Sequence, residues 1–145
     1  MAKNVNIIPE EINLIQIDIL ESSIKDLPKK EALGFNLNVG HSTMHNLDEQ
    51  RVKIGLVIDL DSDSNLVDGK AHFVFDFHYQ IQNLSNFYQF KENGEPLFSG
   101  IFISTLIGLS FSTARGIIFE RLLNTNLQGI ILPVVDPKKI LLLND

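Results

Sequence analysis

The 145-residue chain contains neither cysteine nor tryptophan. Without thiols it can form no disulfide framework and no thiolate zinc site, and it has no cysteine nucleophile. Positive charge is also scarce, because 12 Lys and Arg stand against 18 Asp and Glu, a formal net charge of −6. The electrostatic footprint of a nucleic-acid-binding protein is therefore missing, and we expect no nucleic-acid partner.

An export signal is missing as well. The N-terminus places Pro9, Glu10 and Glu11 where such a signal needs a continuous apolar core. We therefore expect a cytoplasmic protein. Its length and its 44% hydrophobic residues predict a single domain over residues 1–145 with one core.

Catalytic motifs are equally scarce, since the sequence has no glycine-rich phosphate loop and no Gly-x-Ser-x-Gly elbow. His41 and His45 have the spacing of helical metal ligands, but no glutamate accompanies them, and we interpret them as solvated loop residues. We predict no enzyme activity, no cofactor and no metal. The alternative is a metal-dependent ligand-binding protein or enzyme that uses His72, Asp76 and His78, which alternate onto one face of a predicted strand.

Period-two alternation of apolar residues dominates the first half of the chain. The predicted strands are residues 12–24, 35–39, 52–60 and 73–81. In the first, the pattern changes phase at Leu14 and Ile15, which indicates a bulge or a strand that is apolar on both faces. The links between strands are short, so we expect an antiparallel meander.

Helical patterns follow after residue 96. Residues 97–109 and 112–123 read as two helices, and Asp136 and Pro137 open a short last one. All strands precede all helices, which predicts an α+β fold with two to three C-terminal helices on one side of a four-stranded antiparallel sheet. Residues 96–114 carry no charge, and we interpret them as a buried helix or a subunit contact without stable membrane insertion. The small residues Gly100, Ser104 and Gly108 predict an oligomer contact on this helix.

Two short signals in the last third carry a family resemblance. Phe111, Ala114 and Arg115 open a helical run, and Leu132 and Pro133 follow after a polar break. This order is similar to the C-terminal half of the SecB-type export chaperones, where a Phe-Pro-Tyr-Ala-Arg segment precedes a Leu-x-Pro-Val-Asn turn. The resemblance implies a four-stranded sheet with two helices, assembly as a dimer of dimers, and long apolar grooves that hold non-native polypeptides.

The resemblance also assigns roles to residues. The apolar surplus of the chain supplies candidates for the client groove, namely Phe98, Phe102, Leu106, Leu127 and Ile131. Glu21 and Asp76 correspond to acids with which the family docks the SecA translocase motor. Pro133 biases Leu132 toward an extended conformation, so we predict an extended connection over residues 124–135 that lies on apolar surface.

These features lead to one main functional hypothesis. The protein is predicted to be an ATP-independent holding chaperone for unfolded or precursor polypeptides, as a homo-oligomer and with a role in protein export. A second version of the same activity is a dedicated chaperone of a single partner, for instance an antitoxin.

Overall fold

A computed structural model describes residues 6–30, 34–62 and 68–143, without the side chain of residue 143. The regular elements are β1 (Ile12–Lys25), β2 (Phe35–Asn46), β3 (Arg51–Ser62), β4 (Lys70–Ile81), β5 (Tyr88–Phe90), β6 (Pro96–Phe98), α1 (Gly100–Arg121) and α2 (Pro137–Leu143), with 3₁₀ turns at Pro9–Glu11 and Leu84–Phe87. The predicted α+β class, a four-stranded antiparallel sheet followed by C-terminal helices, is confirmed.

The order of the strands differs from a meander. Strands β2, β3 and β4 are sequential neighbours, but β1 pairs with β4, so the sheet order is β1-β4-β3-β2. This is the strand order of a Greek key. The pairing sets Ile17 opposite Phe77 and Ile19 opposite Phe75, so that β1 extends the apolar face of β4.

One face of the central strands forms the core. Every second side chain of β3 and β4 is buried there, and α1 contributes its inward-facing residues to the same cluster. The ring centroid of Phe75 lies 6.1 Å from that of Phe73 and 5.7 Å from that of Phe77. The predicted aromatic face of the fourth strand is thus the surface that packs beneath α1.

Helix α1 is continuous where the sequence predicts two helices. It begins later than predicted, because Ser99 Oγ accepts a hydrogen bond from the backbone N–H of Phe102 and caps the helix, while Pro96 belongs to β6. The hydroxyl residues in its middle do not break it. Ser110 donates to the carbonyl oxygen of Leu106 at 2.8 Å and also contacts the hydroxyl of Tyr79 at 2.8 Å, which satisfies its polar group inside the core.

By length and composition α1 could cross a membrane, and 50% of its most apolar 18-residue window is buried within the fold. Phe102, Leu106 and Ile118 are fully buried. An all-round apolar helix of this kind is typical of a protein core.

Strand β1 contains two register irregularities against β4. The first lies between Leu14 and Gln16, at the predicted phase change, and the second lies between Ile19 and Glu21. As a result Asp18 lies opposite Asp76 and Glu21 opposite Val74. Because residues 74 and 76 point to the same face of β4, the second irregularity brings Asp18 and Glu21 onto one face although they are three residues apart.

The core predicts a large difference between two phenylalanines. Phe75 is fully buried, whereas Phe90 is 64% exposed. Phe75→Ala should lower the free energy of unfolding by about 3–5 kcal/mol through lost burial and a cavity, and Phe90→Ala should change it by less than about 1 kcal/mol. Urea denaturation followed by circular dichroism measures both. Equal losses for the two variants would contradict this assignment of the core.

Candidate functional site

An open groove lies between the first half of β2 and the segment that joins the two helices. Its volume is about 540 Å³, which is within the usual range of ligand-binding clefts. The apolar side chains that line it are Phe35, Leu37, Leu60, Leu127, Ile130, Ile131, Leu132 and Pro133. Lys30 is the single charged side chain among the described residues that line it. We refer to this cavity as the connection groove.

The segment between the helices supplies one wall of the connection groove. Helix α1 ends at Arg121, residues 122–129 form turns, and residues 130–136 have no regular structure. The prediction that the helix does not continue to Pro133 is confirmed, but residues 124–129 turn instead of extending. Leu127 and Leu132 are buried anchors, whereas Ile131 is 69% exposed and Val134 is 85% exposed.

Hydrogen bonds hold this segment from two sides. Arg115 donates through Nε to the carbonyl oxygen of Leu132 at 2.9 Å, so the two signals of the family resemblance contact each other. From the loop after β1, Asp26 Oδ1 accepts the backbone N–H of Asn126 at 2.8 Å, and the carbonyl oxygen of Leu27 accepts Asn126 Nδ2 at 2.6 Å. The wall of the groove is therefore attached to both α1 and the β1–β2 loop.

The structure does not bring the five predicted groove residues together. Leu127 and Ile131 line the connection groove. Phe102 and Leu106 are fully buried, and Phe98 lies in β6 with its ring 6.2 Å from Phe102. Phe102 and Leu106 are therefore core residues and not groove residues, because the helix starts at Gly100 and turns its 102/106 stripe toward the sheet. Phe98 does not line the connection groove.

Sequence reasoning did not identify the groove residues that belong to the sheet, namely Phe35, Leu37 and Leu60. Phe35 and Leu37 line the connection groove from β2, and they have the alternating pattern of an ordinary strand. Only the strand order makes them accessible, since β2 lies at the edge of the sheet. Their pattern alone contains no signal for this position.

The opposite face of the sheet is polar. His72, Asp76 and His78 do lie on one face of β4, as predicted, but the two histidines have different partners. His72 is held between two carboxylates, with Nδ1 2.5 Å from Asp59 and Nε2 2.7 Å from Glu21. These two hydrogen bonds raise the pKa of His72, and the bond to Asp59 has the larger effect.

His78 belongs to a second cluster on this face. Its Nε2 lies 2.8 Å from Asp18 Oδ2, and Lys53 Nζ lies 3.6 Å from Asp76. Hydrogen bonds from Gln16 and His78 lower the pKa of Asp18, and the bond from Gln16 has the larger effect. The sequence did not reveal Asp18 as a member, because its orientation depends on the register of β1.

The predicted docking residues Glu21 and Asp76 both occur on this polar face. Glu21 is exposed, whereas Asp76 is half-buried beside Lys53.

His41 and His45 are not loop residues. Both belong to β2, where His41 Nε2 donates to the carbonyl oxygen of Leu141 at 3.0 Å and the ring of His45 lies 5.6 Å from that of Phe98. The strand pattern is weak at this end of β2 because Ser42, Thr43 and Met44 do not alternate in polarity. The interpretation as solvated loop residues was therefore wrong.

Comparison with known proteins gives a structural relationship only. No family model and no curated protein sequence matches the chain. Its fold is similar to that of the Mycobacterium tuberculosis Rv1957 SecB-like chaperone, solved in complex with a ChAD peptide from the Rv1956 HigA1 antitoxin, with a TM-score of 0.63, 11% identity, and coverage of 87% of this chain and 91% of that one. A protein of unknown function from Streptococcus agalactiae matches at a TM-score of 0.42 and 11% identity, over 85% of this chain and 97% of that one, and this weak similarity carries no argument. The chain has a SecB-like fold.

The raised pKa of His72 predicts a pH dependence of stability. An unfolded histidine titrates near pH 6.5, so the charged imidazole between Asp59 and Glu21 stabilises the fold fully below that pH. This contribution is lost as the pH rises through the folded pKa. The difference in unfolding free energy between wild type and His72→Gln, measured by urea denaturation, should therefore shrink as the pH rises above about 6.5. A constant difference, or one that grows with pH, would refute the assignment.

Proposed function

We propose that this protein is an ATP-independent holding chaperone that binds non-native polypeptides in the connection groove. The observation that carries the proposal is an open apolar groove of about 540 Å³ beside an edge strand. A SecB-like fold supports it, and so does the peptide bound to the structurally similar Rv1957. The proposed activity needs no cofactor and no catalytic group.

The groove has the chemistry for clients of varied sequence. Phe35, Leu37 and Ile131 offer apolar surface, and burial of apolar side chains is non-directional, at about 25 cal/mol per Å². Among the described residues β2 pairs with β3 alone. An edge strand presents unpaired backbone groups, to which an extended client segment can add its own backbone hydrogen bonds.

A general holdase and a dedicated partner chaperone would use the same groove. Rv1957 was solved with a peptide from an antitoxin, which supports the dedicated version for the present chain too. A panel of unrelated unfolded clients separates the two, because a general holdase suppresses the aggregation of most of them and a dedicated one does not. For the general version we also propose a cytoplasmic location and SecA docking through Glu21 and Asp76 on the polar face.

We further propose that the chain assembles as a homo-oligomer, with a dimer of dimers as its final state. The surface differs from the row predicted from sequence, because Ser104 is buried and a Cβ at Gly108 would lie 2.9 Å from Pro137 of the same chain. The row faces α2. We assign the contact instead to exposed apolar side chains of β1 and of another side of α1, namely Leu14, Ile17, Ile19, Ile101 and Leu109.

Among the residues that the structure describes, nothing buries these side chains, because β1 extends the sheet beyond the helix. Leu14 and Leu109 already border one shallow apolar pocket with Tyr79 and Thr105. A second copy of the chain would remove these side chains from water, and obligate homo-oligomers bury apolar surface of this kind.

The groove assignment predicts different effects for two neighbouring residues. Ile131 and Val134 are both exposed and apolar, but only Ile131 lines the groove. Ile131→Asp should weaken the suppression of aggregation of a chemically unfolded client several-fold, because it places a charge in the apolar contact. Val134→Asp, the matched control, should hold clients nearly as well as wild type. Equal activity of both variants and wild type would rule out this groove.

Oligomer formation can be tested on the opposite side of the molecule. Leu109→Asp, alone and with Ile17→Asp, should dissociate the oligomer, since a charge in a dry contact is unfavourable. Leu142→Asp provides the control, because Leu142 is exposed on α2 away from this surface. Multi-angle light scattering measures the mass. A monomeric wild type, or an oligomer unaffected by the double substitution, would disprove the proposed surface.

A further inference from the structure

Three potential metal ligands meet on the polar face of the sheet. From the positions of Asp18, Asp76 and His78 we infer that this face holds a binding site for one divalent transition-metal ion per chain. One ligand atom from each of the three residues lies within 4.8 Å of the others. The inference is independent of the connection groove, which lies on a different side of the molecule.

The register of the sheet creates this arrangement. Asp18 is the direct cross-strand partner of Asp76, and His78 follows two residues later on the same face of β4. The irregularity between Leu14 and Gln16 sets the phase of β1 that brings Asp18 to this side. Tetrahedral zinc bonds of about 2.0–2.2 Å place ligand atoms about 3.4 Å apart, so side-chain rotations that draw the three ligand atoms together would let all three bind one ion.

The protein already places a cation beside these carboxylates. Lys53 Nζ lies 3.6 Å from Asp76 and sits on a flexible stem with a side chain that is 30% exposed. Two carboxylates opposed by one ammonium group leave one negative charge uncompensated. A divalent ion can displace Lys53 into solvent and neutralise both carboxylates.

The donor set indicates the class of metal. One imidazole and two carboxylates suit Zn²⁺, Co²⁺, Ni²⁺ or Mn²⁺, whereas Ca²⁺ and Mg²⁺ prefer oxygen ligands alone. Three protein ligands leave at least one position for water or for a ligand atom of a partner. Because Asp18 and His78 are on different strands, the bound ion would also connect the edge strand β1 to β4.

The neighbouring histidine provides a contrast within the same face. The two carboxylates at His72 contact opposite ring nitrogens, Asp59 at Nδ1 and Glu21 at Nε2. They cannot converge on a single ion together with the ring. His72→Ala therefore serves as a matched control, since it removes a histidine of the same face that is 38% exposed, against 29% for His78, and that also has carboxylate partners.

The experiment is a titration of tag-free protein with Co²⁺, followed by visible absorption, and with Zn²⁺, followed by calorimetry and thermal melting. We expect one ion per chain and a rise in melting temperature with metal concentration. His78→Ala and Asp18→Asn should each weaken binding by at least about tenfold. Lys53→Met should strengthen it, because the competing ammonium group is gone, and His72→Ala should leave it unchanged.

Two results would overturn the inference. One is the absence of Co²⁺ binding to both wild type and Lys53→Met at about 1 mM metal, the weakest affinity of interest. The other is wild-type affinity in His78→Ala, which would assign the ion to other residues. Circular dichroism of each variant checks that the sheet is intact. If a ligand variant does not fold, the metal affinity of Lys53→Met is the test, because an affinity no higher than that of wild type would contradict the inference.

Discussion

The packing of α1 onto the aromatic face of β3 and β4 is the contact on which the rest of this structure depends. Phe73, Phe75 and Phe77 are fully buried there, and their alternation commits the side chains between them, Val74 and Asp76, to the opposite face of β4. Helix α1 lies over the central strands, and α2 contacts only part of β2. The edge strands and the segment after α1 are therefore left with apolar side chains in contact with water, and these form the proposed binding surfaces.

Each surface follows from its place relative to this core. At the β2 edge, the segment after α1 runs back toward the sheet and is held by the hydrogen bond from Arg115 to the carbonyl oxygen of Leu132. The connection groove lies open between this segment and β2. At the β1 edge, Ile17 and Ile19 extend the apolar face of β4 beyond the reach of the helix. The polar face lies behind both and carries the paired acids and histidines. Client holding, self-association and cation binding are thus assigned to three separate regions, so each can be altered without the others.

Sequence patterns predicted the elements well and the site only in part. Alternation in β4 is a local property, and it located the aromatic core and the polar histidine face correctly. Strand order is not local, so the pairing of β1 with β4 and the groove position of Phe35 were missed. Phe102 and Leu106 were misassigned for a related reason, because an all-round apolar helix does not reveal which side meets the sheet. The face on which Asp18 lies depends on the register of a bulged strand. Bulges shift side chains between faces, and the residue types alone do not predict such a shift.

Non-native polypeptide is assigned to the edge of β2 and not to the polar face. Backbone amide NMR of the labelled protein, titrated with a permanently unfolded client, distinguishes the two surfaces. We expect shift changes or broadening concentrated at residues 35–37 and 126–132, with little change at residues 72–78. Perturbation of the polar face instead, or an unchanged spectrum at saturating client, would contradict this assignment.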